Sequence, residues 1–444
     1  MNARSGQPVR IGIAGLGTVG AGVFKLIQEN AELLSRRSGA TLTISGVCAR
    51  DRNRDRNIPL DDVKWYDDPV ALASDPDIDV VVELIGGDEG PARQMADAAL
   101  AAGKNLVTAN KALVAKHGMD LAAKAEASGG SLFFEASVAG GIPIIKALRE
   151  GLSANRIIRI YGILNGTCNY ILTRMEETGG DFGDILAQAQ ELGYAEADPE
   201  FDVEGTDTAH KLAILTAVAY GCRVDFEAVH VEGISDIGAV DIDFARQLGY
   251  RIKLLGLASL HSDGSEGDDA AVKMVEQRVH PCLVPLTTPI AHVDDAFNAV
   301  VVEGDAVGRT VLEGRGAGAG PTASAVVADI VDAARGNCLP AFGVPLKELK
   351  DLPAADIAER HSAFYVRLEV VDQPGVMADI TAVLRDHGVS IDSIIQRGRA
   401  PGEGVPVVMV CHETAEANMT GALADFAALD TVLERPKMIR IEAL

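Results

Sequence analysis

Little in this chain suits it to nucleic acid, a membrane or a disulfide scaffold. Lys and Arg number 40 against 64 Asp and Glu, a net charge of -24. Neutralising phosphates needs clustered basic side chains, so no nucleic-acid partner is expected. No run of ~18 apolar residues occurs, so no membrane partner is expected either. Met1-Asn2-Ala3-Arg4 does not open a cleavable signal sequence, which points to a cytoplasmic enzyme or sensor. The 6 cysteines are scattered, with Cys168 and Cys222 the nearest pair. Without a CxxC or a His/Cys cluster, zinc and a disulfide framework are both unexpected. No long repeat is visible. What remains is an ordinary globular balance, 48% hydrophobic and 23% charged over 444 residues. At ~150 residues per domain that is about three domains.

The N-terminal third alternates apolar runs with helical patterns. Val9 to Ala14 reads as a buried strand and Val19 to Glu29 as the helix after it. Thr41 to Cys48, Val80 to Ile85 and Asn105 to Thr108 read as further strands. This β-α-β rhythm implies a parallel, doubly wound sheet with ligands at the carboxyl ends of its strands. From Arg156 to Glu303 the pattern is α+β, with helices over Ile185–Leu192 and Asp207–Tyr220. Strands are expected over Ala271–Val275 and Ala299–Val302, with a polar hairpin tip at Ser262–Asp269. After a glycine-rich stretch at Gly314–Pro321, a helix from Thr322 to Arg335 could close back onto the first domain. Pro345 to His361 reads as a charged linker. Beyond it, strands at Phe364–Val370, Ile391–Gln396, Val405–Val410 and Met438–Ile441 alternate with helices at Val376–His387 and Thr414–Leu429, a small β-α-β-β-α-β unit.

Gly15-Leu16-Gly17-Thr18-Val19-Gly20 fits G-x-G-x-x-G, directly after a predicted strand and opening a helix. Gly15 permits the tight turn, Gly17 lets the backbone approach a pyrophosphate, and Gly20 lets helix and strand pack closely. The helix N-terminus at Thr18 and Val19 supplies N–H donors to the phosphates. At the end of the second strand an acid would bind the ribose of NAD, whereas an arginine accepts the 2′-phosphate of NADP. Arg50 stands there, with Arg52, Arg54 and Arg56 behind it. NADP is therefore expected, and nearby Asp51 keeps NAD open.

Another stretch gathers acids: Glu196, Asp198, Asp202, Glu204 and Asp207, followed by Lys211. A carboxylate at i and an amine at i+4 share one helix face, so Asp207 and Lys211 should point the same way. That spacing would hold a substrate's ammonium near a proton-shuttling lysine; an ordinary surface ion pair would also produce it. Thr108-Ala109-Asn110-Lys111 lies just past a strand's carboxyl end, where open α/β sheets bind ligands.

Taken together, these segments resemble homoserine dehydrogenase in its long form with a C-terminal ACT domain. The resemblance also rests on Glu135-Ala136-Ser137-Val138-Ala139-Gly140-Gly141-Ile142-Pro143, Asn165-Gly166-Thr167-Cys168-Asn169-Tyr170, Asp207-Thr208-Ala209-His210-Lys211 and Gly316-Ala317-Gly318. It runs through nearly the whole first 340 residues in family order. It implies reversible NAD(P)-dependent interconversion of L-homoserine and L-aspartate 4-semialdehyde, at the branch toward threonine, isoleucine and methionine. It assigns proton transfer to Lys211, with Lys111 reaching the same site, Asp207 orienting Lys211, and Glu196 on the substrate ammonium. Asp202 is a further substrate contact, and Gly316 and Lys111 join Arg50 and the glycine motif in holding the cofactor. Glu135, Val138, Gly140 and Ile142 match a segment that in this family wraps a monovalent cation, usually sodium, mainly with backbone carbonyls.

Asp372-Gln373-Pro374-Gly375-Val376-Met377 and Gly388-Val389-Ser390-Ile391 resemble an ACT module, although Met377 stands where leucine is commoner. This implies feedback by L-threonine, with Asp372 and Gly375 as contacts. A dimerisation module without a ligand fits the same pattern. The expected organisation is α/β: a Rossmann domain over 1–150, completed by about 305–344, and a catalytic and dimerisation domain over 151–304. The linker over 345–361 and the ACT domain over 362–444 follow. A homodimer or homotetramer is expected, and because the chain begins on the Rossmann strand, a monofunctional enzyme. A sensor that binds nucleotide and amino acid without catalysis is the alternative from another class. A dehydrogenase for a different hydroxy-amino acid is a third reading.

Overall fold

The computed structural model describes residues 8–262, 273–397 and 402–444. Met1–Arg4, Ala271–Val272 and all of Ser262–Asp269 beyond its first residue lie outside them. Two sheets organise the chain. The first is parallel and runs β1 (Val9–Ala14), β2 (Leu42–Cys48), β3 (Lys64–Tyr66), β4 (Val80–Glu83), β5 (Asn105–Thr108) and β6 (Ser131–Phe133). Its spatial order is β3-β2-β1-β4-β5-β6, so the winding reverses beside β1 and leaves a crevice between the ends of β1 and β4. That crevice is where a dinucleotide sits in such sheets. Ile11, Ile13, Val81 and Val82 are fully buried, as expected of strands covered on both faces.

The helix after the glycine-rich stretch spans Ala319–Arg335. It returns to the first sheet, where Ala323, Val326 and Ile330 share a core with Val23, Phe24 and Ile27 of helix Thr18–Glu29. Gly22 makes the approach possible, because a Cβ there would lie 3.0 Å from the Ala319 carbonyl oxygen.

The second sheet contains β7 (Ile157–Ile163), β8 (His230–Val231), β9 (Tyr250–Ser262), β10 (Lys273–Pro285), β11 (Phe297–Gly304) and β12 (Gly308–Arg315). The C-terminal unit adds β13 (His361–Val371), β14 (Ile391–Gln396), β15 (Gly404–Ala415) and β16 (Lys437–Ile441). Its sheet order, β16-β13-β15-β14, is covered by helices Val376–Asp386 and Glu416–Ala427. β16 also pairs in parallel with β10, Cys282 facing Arg440 and Leu283 facing Ile441. The two units therefore share one ten-stranded sheet.

The segment read as a charged linker is not a free tether. Pro353 O accepts from Val275 N and Ala355 N donates to Val275 O, both at 2.9 Å, while Lys350 N donates to Gly221 O at 2.9 Å. These bonds lay the segment against β10 and satisfy its backbone groups. No described helix is long and apolar enough to cross a membrane.

Candidate active site

The glycine motif forms a cradle with unequal walls. Gly15 has φ 96°, and a Cβ there would meet Leu84 O at 2.2 Å. At Gly20 a Cβ would lie 1.9 Å from Gly15 O, whereas at Gly17 it would meet nothing within 4 Å. The first and last glycines thus close the turn on the sheet, and the middle one leaves open space. Thr18 and Val19 start helix Thr18–Glu29, whose first turn has no side-chain cap. Such N–H groups and the helix dipole suit a pyrophosphate, so these residues fit a dinucleotide. Arg50 is exposed at the end of β2. Arg52 and Arg56 instead lie over the Trp65 ring at 5.8 Å, and Arg56 also donates to Leu16 O at 3.1 Å.

The catalytic candidates meet at a buried carboxylate. Asp207, 3% exposed, sits in the first turn of helix Thr206–Tyr220. Lys211 Nζ donates to Asp207 Oδ2 and to Leu164 O, both at 2.7 Å. Lys111, first residue of helix Lys111–Ser128, brings Nζ to 3.1 Å from Asp207 Oδ1. Burial alone would raise the Asp207 carboxyl, but the charges of Lys211 and Lys111, with hydrogen bonds from Lys211 and Asn165, hold it at about 2. The pair is therefore no solvated surface bridge. Asn110 places Lys111: its Oδ1 accepts from Leu113 N at 3.1 Å and its Nδ2 donates to Gly87 O at 2.6 Å.

Asn165 is the organiser that residue-type reasoning missed. Its Nδ2 donates to Asp202 Oδ1 and Asp207 Oδ2, both at 2.8 Å, while its Oδ1 caps helix Gly166–Thr178 through Cys168 N. An asparagine ahead of a helix-opening glycine was the available signal. Glu83 was missed too. Buried at the end of β4, it accepts from Thr108 Oγ1 at 2.6 Å and Ile85 N at 2.7 Å, fixing the loop beside the crevice. A lone acid ending the run Val80-Val81-Val82 was its signal.

The structure brings Asp202 into this cluster, where burial and then the neighbouring Asp207 push its carboxyl above the ordinary aspartate value. Glu196 is exposed, and among the described residues only its backbone carbonyl is bonded, to Gln190 Nε2 at 2.9 Å. The loop carrying it is fixed at Tyr194, whose carbonyl accepts from Thr167 Oγ1 at 2.8 Å and whose ring stacks on Tyr170 at 4.6 Å. Asp198 turns back on its own loop toward Glu200 N at 3.4 Å.

Glu135, Val138, Gly140 and Ile142 are all buried. The Glu135 carboxylate accepts from Ile145 N at 2.9 Å and Lys146 N at 2.8 Å, and its own N–H donates to Asp329 Oδ2 at 2.9 Å. Ile142 O accepts from Ile144 N at 2.8 Å, whereas the carbonyls of Val138 and Gly140 accept no backbone hydrogen bond among the described residues. Gly140 packs on Gly316, because a Cβ on Gly140 would lie 2.2 Å from Gly316 O. Lys146 faces Asp329 and Asp332 and is the lysine of this acidic group. Hard oxygen donors and an excess of buried carboxylate fit a monovalent cation.

Burial, then Asp329, raises the Glu135 carboxyl to about 7. A raised carboxyl stabilises the fold below its unfolded value and loses that contribution as pH rises through the folded value. We expect wild type to lose on the order of 3 kcal/mol between about pH 4.5 and 7, relative to Glu135→Gln, in buffer free of alkali cations. Denaturant unfolding of both proteins across that window reads the difference. Parallel pH profiles would rule out the assignment.

In the C-terminal unit, Asp372 helps to line a cavity of about 300 Å³ with Gln373, Pro374, Met377 and Gln396. Gly375, at φ 102°, caps helix Val376–Asp386 at its edge.

Comparison with known proteins agrees along the chain. Residues 143–331 match the family described as homoserine dehydrogenase, residues 15–135 its NAD binding domain, and residues 364–430 the ACT domain. The chain is 45% identical to homoserine dehydrogenase of Pseudomonas aeruginosa, over 99% of this chain and 100% of that protein. It is 44% identical to that of Neisseria gonorrhoeae, over 99% of each. Among solved structures it is similar to a homoserine dehydrogenase from Thiobacillus denitrificans, with TM-score 0.90 and 46% identity over 99% of each chain. It is also similar to a hyperthermophilic archaeal homoserine dehydrogenase in complex with NADPH, with TM-score 0.61 and 28% identity over 73% of this chain and 97% of that one.

Proposed function

The chain belongs to the homoserine dehydrogenase family, whose oxidoreductase activity it carries, and from that premise we propose how its residues divide the work. The carrying observation is Asp207, buried and bridging Lys111 and Lys211 across the two sheets. When bound, the nicotinamide supplies the hydride acceptor for the alcohol carbon of homoserine. As the neutral amine, Lys211 Nζ takes the hydroxyl proton as that hydride leaves, and as the ammonium it returns the proton in the reverse direction. Asp207 and Leu164 O hold Lys211 in place, and Lys111 adds a second cation beside the reacting oxygen. Glu196 receives the substrate ammonium, with Asp202 beside it.

Glu196→Gln tests the substrate assignment. Losing one charge-assisted contact of about 1.5–3 kcal/mol raises the KM for homoserine about 10- to 100-fold with kcat little changed. An unaltered KM in initial-rate assays removes Glu196 from the site.

NADP is the proposed cofactor, supported by Arg50 at the end of β2 and by the absence of an acid at that position. NAD remains a second cofactor through Asp51. Arg50→Ala should lower the NADP-to-NAD ratio of kcat/KM about tenfold, one arginine–phosphate contact. An unchanged ratio in parallel assays of the two cofactors would refute the choice. Gly316, which packs on Gly140, is assigned to the cofactor on the family resemblance of its segment.

Sodium is the proposed cation, on the carbonyls of Val138, Gly140 and Ile142 with Glu135 behind them. The C-terminal unit is assigned to L-threonine feedback through Asp372 and the backbone at Gly375, a coupling between two sites. The division proposed is a cofactor domain over 1–150, completed by 305–344, a catalytic and dimerisation domain over 151–304, a connecting segment over 345–361 and a regulatory domain over 362–444. A homodimer or homotetramer is supported by the two edges of the long sheet, β12 and β14, which carry exposed Val311 and Ile394, and its proposed location is the cytoplasm. Unpaired edges with apolar side chains invite a second copy.

A further inference from the structure

The segment that brings Glu196 and Asp202 toward the catalytic cluster also holds a large apolar side chain in water. Phe201 is 43% exposed, although it stands between acids at Glu200 and Asp202. Its neighbour explains the position. Lys111 Nζ lies over the Phe201 ring, 5.3 Å from the centroid, and the same Nζ is 3.1 Å from Asp207 Oδ1.

The ring is fixed by the chain on either side of it and by what it packs on. Phe201 lies in the short helix Glu200–Val203, where Asp202 N and Val203 N donate to Pro199 O at 2.9 and 3.0 Å. Asp202, the next residue, accepts from Asn165 Nδ2 at 2.8 Å. Phe201 also packs against the His210 ring, 5.6 Å between centroids, and His210 packs on Phe226 at 4.3 Å. His210 is 4% exposed, and neither of its ring nitrogens has a partner among the described residues. Burial, and then the charges of Lys111 and Lys116, pull its imidazole down to about 4. Near neutral pH it therefore packs on Phe201 as an uncharged aromatic and adds no repulsion to Lys111.

The face of an aromatic ring attracts an ammonium lying within about 6 Å of its centroid. Unlike a carboxylate, it takes no strong directed hydrogen bond. An ammonium carries three donors, and Asp207 engages one side of it. A ring face on another side restrains Lys111 without competing for the donors that remain. An acid in place of Phe201 would capture them. An aliphatic side chain would leave a long, rotatable lysine tethered at Asp207 alone, with more rotamer freedom to lose at each turnover.

We propose that Phe201 is a positioning residue for Lys111. Its ring face holds the ammonium against Asp207 and leaves N–H donors free for the substrate oxygen. The inference rests on the role given above to Lys111 beside the reacting oxygen, and it names what keeps the lysine there.

The test is a double-mutant cycle on the full chain with Phe201→Leu, Lys111→Met and the two combined. Each protein is read twice, by kcat for homoserine oxidation and by denaturant unfolding. Phe201→Leu keeps an apolar side chain and removes the ring, so kcat should fall about three- to tenfold. Phe201→Tyr keeps the ring and should stay within about twofold of wild type. In the Lys111→Met background, Phe201→Leu should cost less than about twofold, because the cation it acts on is gone. In unfolding, the pair should couple by about two- to fivefold in the equilibrium constant. Wild-type kcat in Phe201→Leu, equal losses in both backgrounds, a tyrosine variant as slow as the leucine one, or no coupling in unfolding each overturns the proposal. A Lys111→Met enzyme with wild-type kcat would instead overturn the role of Lys111 in the reaction, and the unfolding cycle would still read the contact without turnover.

Discussion

Lys211→Met should lower kcat for homoserine-dependent NADPH formation by about 10²–10⁴-fold, the range for removing a positioned proton acceptor. Methionine keeps the reach of the side chain as far as Cε and lacks the amine. Asp207 would retain Lys111 at 3.1 Å and Asn165 at 2.8 Å, so its charge stays compensated and the helix stays folded. The loss should therefore fall on kcat, while NADPH binding and the unfolding midpoint remain close to wild type. Lys111→Met serves as the comparison, because it too removes an amine beside Asp207 but not the assigned acceptor. A Lys211→Met enzyme within about threefold of the wild-type kcat would refute the role, and equal losses in both variants would reduce it to shared charge.

The parts of this site that could be read in the sequence are those whose chemistry is local. Gly15, Gly17 and Gly20 sit in one turn between a strand and a helix, and Asp207 and Lys211 are one helical turn apart. In both cases spacing alone fixes the relative geometry. Lys111 could be placed only at a strand end, because its partner comes from a distant segment. Asn165 was visible as a motif but not as the group that joins Asp202 to Asp207, since that role exists only when three separate segments meet. The long strand β9 was not foreseen, as Tyr250–Ser262 is largely apolar without a clear period. The fusion of two sheets through β10 and β16 was likewise hidden. It rests on two facing residue pairs between distant strands, and no local pattern encodes such a pairing.

That fusion gives Arg440→Met the largest expected effect on stability. Arg440 is the largest of the fully buried side chains. From β16 it reaches Glu232 at 2.7 and 2.8 Å and Glu416 at 2.9 and 3.1 Å. Burial would raise the Glu232 carboxyl, but His230 and Arg440 hold it at about 2. Methionine fills much of the space and leaves two carboxylates facing each other without their cation. Breaking a buried pair in this way costs about 3–5 kcal/mol, with the lower end favoured because Glu232 keeps some access to water. Arg440→Lys should fall between, since one ammonium cannot fork onto two carboxylates.

The same break should reach catalysis. Glu232 is followed by Gly233 and Ile234, and Ile234 N donates to Val203 O at 2.8 Å, while Ser235 Oγ bonds Glu204. These contacts hold the turn that carries Asp202 into the active site. Arg440→Met should therefore raise the KM for homoserine as well as lower the unfolding free energy. Replacing Glu232 and Glu416 by glutamine in the same protein should recover most of the stability, because the stranded charges are gone. Denaturant unfolding of the single and triple variants decides the matter. A single variant within about 0.5 kcal/mol of wild type, or a triple variant no better than the single, would show that the C-terminal strand is held by packing rather than by this arginine.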